Sequence, residues 1–198
     1  MKLNYKNLFL NGLGGFFILV GLIAIINANY EYDFLSILWF CYLGLILIGV
    51  GVLFRNSFLI ASQLNILTIP LIIWSLDFIY FIFTKNYLFG ITDYFFEAGP
   101  LISKIVTVQH LYTIPLAFIA LYLIKLKRKN AWKLSIFQVV AFYAGIYFFT
   151  PVERNINCVF KFCGDFQVPM LYSVFWFVIF FTMIFFTNFA LNKLFYKK

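Results

Sequence analysis

Charge is scarce in this sequence. Only 11% of its 198 residues are Asp, Glu, Lys or Arg, and only seven are acidic. A soluble domain of this length keeps a large exterior and needs polar groups to cover it. With 64% hydrophobic residues there are too few, so a water-soluble globule is excluded and lipid is the solvent that fits. Histidine occurs once and cysteine three times, scattered along the chain. Such a set makes no convincing zinc or haem site, and neither a metal nor another cofactor is expected. There is no G-x-S-x-G elbow, P-loop or dinucleotide fingerprint, no low-complexity tract and no long linker.

What is present is aromatic and apolar. Aromatics make up 23%, with 29 Phe and 13 Tyr. Phe tolerates hydrocarbon, while Tyr and Trp favour its interfaces. Six apolar stretches stand out, at about 8–26, 34–54, 58–83, 101–124, 134–150 and 169–191. Most approach the ~20 residues that a helix needs to span ~30 Å of hydrocarbon. Only helix pairs every backbone amide within such a run, and the period-2 alternation of an outer-membrane barrel is absent. The expected fold is therefore all-α, a single domain of six transmembrane helices over residues 1–198. Pro70 is expected to kink the third helix. The first stretch imitates a signal peptide, with Lys2 and Lys6 at its start and Ala28 near a cleavage position. Its apolar run exceeds the usual ~7–15 residues, and we read it as an uncleaved first helix.

The basic residues carry the orientation signal. Lys2, Lys6, Arg55, Lys125, Lys127, Arg128, Lys129, Lys133, Lys193, Lys197 and Lys198 fall on the side of the N-terminus, eleven of the 15. Lys85, Lys104, Arg154 and Lys161 fall on the other. This bias predicts both termini in the cytoplasm, with Asn86 and Asp165 outside. The net charge of +8 does not imply nucleic acid, since no basic cluster alternates with base-stacking aromatics. The basic loop is instead suited to anionic lipid headgroups.

Chemistry-bearing residues gather in the outer half. Asp77 sits inside the third helix, where a carboxylate costs ~2.5–3.5 kcal/mol and usually faces the bundle interior. His110, in the fourth helix, follows Ser103 and Thr107 and precedes Thr113 at helical spacing, and Pro115 comes next. Their depths are similar, ~9 and ~14 Å below the outer helix ends at 1.5 Å per residue. Paired, Asp77 would orient the imidazole. The outer loops add Thr92 as a candidate nucleophile, with water the alternative, and Asn155 and Asn157 as holders of substrate or oxyanion. Trp74 and Tyr94 complete a candidate substrate surface. For each residue a plain structural role stays open: an interfacial Asp77, a His110 bonded to a carbonyl, loops that only cap the bundle. Cys158 and Cys163 share the last outer loop at a spacing that permits a disulfide. Ala141 and Gly145 suggest a small-residue helix face for a membrane-protein partner.

The segments Trp74-Ser75-Leu76-Asp77-Phe78 and Gly90-Ile91-Thr92-Asp93-Tyr94, His110 followed by Pro115, and Asn155-Ile156-Asn157 resemble an uncharacterised family of small bacterial multi-pass membrane proteins. The resemblance covers roughly residues 60–190. It departs where that family has Trp and Gly and this chain has Cys158 and Lys161. It implies a bacterial cytoplasmic membrane protein and supplies no activity. A weaker similarity is to six-helix membrane hydrolases of fatty-acid esters, which pair a threonine with an intramembrane histidine. The sequence thus predicts a lipid-directed hydrolase or transferase, with His110 as base and Asp77 as its partner. A non-catalytic accessory or immunity-type module is the alternative, and a small-solute carrier is disfavoured because no inverted repeat is visible.

Overall fold

The apolar stretches fold as helices because in lipid nothing else satisfies their backbone. The computed structural model describes residues 5–31, 33–163 and 171–196. It is all-α: α1 (Tyr5–Glu31), α2 (Phe40–Leu53), α3 (Ser57–Thr84), the short α4 (Asp93–Phe96), α5 (Leu101–Thr107), α6 (Gln109–Ile124), α7 (Trp132–Phe149) and α8 (Tyr172–Phe195). Arg55, Lys85 and Lys125 take positive φ of 53°, 61° and 70° just beyond the ends of α2, α3 and α6. A cation at that position also complements the negative end of the helix dipole. Asn56 caps α3 by accepting from the Leu59 amide at 3.2 Å.

Among the described residues five helices are long and apolar enough to cross a membrane, with α5 and α6 forming one of them, interrupted at Val108. The second expected stretch is not one continuous helix. Residues 34–38 form a 3₁₀ turn, Trp39 is extended, and α2 has only 14 residues, or about 21 Å of helix. The reason is tertiary: the Leu38 carbonyl and the Phe40 amide are both taken by Asn157, across 119 and 117 residues of sequence. The first helix is longer than expected, and the seventh and eighth are shifted by a few residues. Residues 169 and 170 of the last expected stretch, and Asp165, lie outside the described residues.

The start of α1, the α2–α3 turn and the ends of α6 and α8 meet at one end of the bundle, where the Lys127 amide donates to the Ser57 hydroxyl. There Arg55 donates to the Asn7 carbonyl, and Leu126 bridges to Tyr196. At the opposite end Asn27 donates to Ser103, and Arg154 pairs with Asp33 at 3.3 Å. α3 is central, packing on α2, α6, α7 and α8. Phe83, Phe137, Phe148, Phe149, Phe186 and Phe189 are exposed on the outer surface, as lipid-facing residues would be.

Close helix approach is made on α1 and α2 rather than on α7. A Cβ at Gly14 would stand 2.7 Å from Leu53 Cγ, and one at Gly49 only 2.7 Å from the Gly14 carbonyl oxygen. The two backbones meet there, as small residues allow in helix pairs. Gly145 has open space where its Cβ would go, so the small face expected on α7 packs against nothing among the described residues.

Candidate functional site

Asp77 is fully buried, and its carboxylate is the hub of the loop between α3 and α4. Oδ1 accepts from the Leu88 and Phe89 amides at 2.8 and 2.7 Å. Oδ2 accepts from the Ile91 and Thr92 amides at 3.0 and 2.9 Å, and from the Thr92 hydroxyl at 2.8 Å. The chain reverses between these two pairs at Gly90, whose φ of 72° suits glycine. Consecutive amides in such a turn form a concavity for an anion, here filled by the protein's own side chain. The loop is pressed down by aromatic contacts: Phe95 lies edge-on to Phe78 at 4.9 Å, and Phe96 sits 4.0 Å from Phe81. Nearby Tyr87 has its phenol pKa shifted upward, by desolvation first and then by the Asp93 and Glu97 carboxylates.

The expected Asp77–His110 pair does not form. Both carboxylate oxygens are occupied by the loop, and no hydrogen bond or ion pair joins the two side chains. His110 instead lies against Trp74, ring centroids 4.7 Å apart. Its Nδ1 is buried with no hydrogen-bond partner of good geometry, although the Thr107 carbonyl one turn back lies beside the ring. Trp74 stacks on Phe78 at 5.0 Å, and its indole donates to the Tyr94 hydroxyl at 3.0 Å. Of the seven residues expected to cooperate, the structure links Asp77 directly to Thr92, and Trp74 to Tyr94 and His110. The polar stripe around His110 is divided. Ser103 turns to α1, Thr107 bonds its own helix, and the Thr113 hydroxyl donates to the Gln109 carbonyl and side chain.

Asn155 and Asn157 lie elsewhere, and both side chains bond backbone groups. Asn155, at φ 40°, accepts from the Phe160 and Lys161 amides and donates to the Lys161 carbonyl. Asn157, at φ 52°, mimics a strand of peptide: its side chain accepts from the Phe40 amide at 3.0 Å and donates to the Leu38 carbonyl at 2.7 Å. Its own carbonyl receives the Trp176 indole. Cys158 and Cys163 are joined in a disulfide, which closes this loop. Both Asn side chains are thus engaged with backbone on the oxygen and on the nitrogen.

A groove of about 430 Å³ runs beside His110, between α3 and α6. Its walls are Leu71, Ile114 and Phe118, its rim includes exposed Ile72 and Leu76, and Pro115 borders it on α6. Ser75 is the other polar residue in its lining, and the Ser75 hydroxyl donates to the Leu71 carbonyl at 2.7 Å. From Phe118 to His110 is eight residues, about 12 Å along the helix.

A second set of polar residues escaped the sequence reading. Within α3, Gln63 donates to Gln138 of α7, and Asn65 donates to Ser135 of α7 and more weakly to Asn188 of α8, at 3.4 Å. The signal was present: amide side chains inside apolar stretches are costly and tend to pair across helices. Among the described residues, no group of His, Cys, Asp and Glu is arranged to hold a metal.

Fold and site together define an all-helical protein with several membrane-length helices, a carboxylate-tied loop and a lateral apolar groove. No family model, curated protein or solved structure matches this chain.

Proposed function

We propose that this is a multi-pass protein of the bacterial cytoplasmic membrane that binds a membrane lipid, holding its acyl chain in the α3–α6 groove. In this reading it crosses six times with both ends in the cytoplasm. The short α2 is completed by the 3₁₀ turn before it, and the basic bias sets the orientation. The groove is the observation that carries the proposal. It is apolar, has a volume in the range typical of ligand pockets, and opens sideways between exposed Ile72 and Leu76. Its one ionisable lining residue is His110, placed at its outer end.

Native mass spectrometry of the detergent-purified protein tests the reading. We expect one acyl lipid retained per chain, lost in Ser75→Phe, which fills the groove, and weakened in His110→Ala. Equal retention by the wild type and Ser75→Phe would overturn it. Cysteine-accessibility labelling in whole cells tests the orientation, since residue 86 should be reached from outside and residue 130 should not.

A hydrolytic role is a second reading, favoured by the buried His110 ring, whose Nδ1 lacks a partner of good geometry, at the end of an apolar groove. His110 would take a proton from water as it attacks an ester carbonyl, because Thr92 already donates its hydroxyl to Asp77. Turnover of a bound ester by the wild type and not by His110→Ala would support it; retention of the lipid intact over hours would exclude it.

A further inference from the structure

The basic end of the bundle holds a pocket of a different kind. It has a volume of about 150 Å³ and is lined by Lys6, Asn7 and Leu10 of α1, Arg55 of the α2–α3 turn, and Ile124 and Lys127 around the end of α6. Arg55 is held rigidly. Nη1 donates to the Val52 and Leu53 carbonyls, and Nη2 donates to the Asn7 carbonyl at 3.2 Å and Asn11 Oδ1 at 2.7 Å. Every one of these acceptors is neutral, so the guanidinium charge is fixed in place without a counter-charge among the described residues. The ion pair found among the described residues, Arg154–Asp33, is at the opposite end of the bundle.

The neighbouring cations are engaged differently. Lys125 lies 3.9 Å from the Tyr122 ring, Lys129 4.5 Å from Tyr196, and Arg128 5.8 Å from Phe58. Lys6 and Lys127 have neither a ring nor a carboxylate partner among the described residues, and they line the pocket with Arg55. Three positive charges around a small concavity with an apolar floor at Leu10 demand an anion of compact shape and several acceptor oxygens.

We propose that Lys6, Arg55 and Lys127 form a phosphate-binding pocket, occupied by the phosphate of an anionic membrane lipid or by free inorganic phosphate. Arg55 supplies a preset charge, while the two flexible lysines close on the oxygens. The site rests on the membrane reading above but not on its sidedness, because both faces are accessible in detergent. It is also separate from the α3–α6 groove, so Ser75→Phe leaves it intact.

The test is native mass spectrometry of the full chain in micelles doped with phosphatidylglycerol or phosphatidylcholine. A parallel arm titrates inorganic phosphate and reads thermal stability. The pocket variant is Lys6→Gln with Lys127→Gln, which spares the structural contacts of Arg55. Lys133→Gln with Lys193→Gln removes the same charge from the same end. Retention of phosphatidylglycerol should fall about tenfold or more in the pocket variant and much less in the charge-matched control, with phosphatidylcholine unaffected. Stabilisation by millimolar phosphate, lost in the pocket variant, would assign the site to the free anion. Equal loss of phosphatidylglycerol in both double variants, with no effect of phosphate, would overturn the pocket.

Discussion

Asp77 and His110 are both ionisable, both at membrane depth and on helices that pack together, yet their surroundings are opposite. Asp77 receives five hydrogen bonds from one folded loop. His110 has a buried nitrogen with no good partner and borders a groove. A saturated polar group in an apolar medium holds structure together. An unsatisfied one is the place where a ligand gains most. The same distinction separates the two outer loops from the groove, since Asn155 and Asn157 are as fully engaged as Asp77.

The largest effect should come from emptying the saturated site. Asp77→Ala leaves four loop amides without their acceptor and should lower stability by at least about 3 kcal/mol, read as a fall in thermal midpoint in detergent. An unchanged midpoint would mean that the loop holds itself. Asn157→Ala should cost about 2–3 kcal/mol, because the Phe40 amide and the Leu38 carbonyl lose their partners together. Faster amide exchange at residues 38–42 would locate that loss; unaltered exchange there would break the assignment.

Thr92→Val sharpens the contrast. It removes one hydroxyl bond to Asp77 and keeps the amide bond, so the cost should be about 1.5 kcal/mol with lipid retention unchanged. Lost retention at full stability would instead return Thr92 to the list of ligand contacts. His110→Ala should have the smallest effect on stability, about 1 kcal/mol for the ring contact with Trp74, while weakening lipid retention. A large stability loss with retention intact would make His110 structural and erase the comparison.

The residues that matter were visible in the sequence more often than their partners were. Asp77 stood out because a carboxylate within an apolar helix is costly, and it is central. Its partner was misplaced because four of its five donors include backbone amides, which every loop residue carries and no side-chain pattern marks. Gly90 is the one local hint of that turn. The Asn-Ile-Asn segment was recognised as unusual, but its target, the break between Leu38 and Phe40, lies more than a hundred residues away. Gln63, Asn65 and Gln138 are each an amide inside an apolar run, but their pairing across helices is decided by which helices meet.

By itself the sequence determined that the chain is all-helical and membrane-sized in its spans, because hydrophobic run length and the need to pair the backbone are local properties. It also placed the cations on one end. Tertiary structure alone decided that α2 is short, that Asp77 faces a loop rather than His110, and that α3 and α6 leave a groove between them. Those outcomes depend on which donors and surfaces meet, and hydrogen bonds between segments far apart in the chain leave no periodic trace in the sequence.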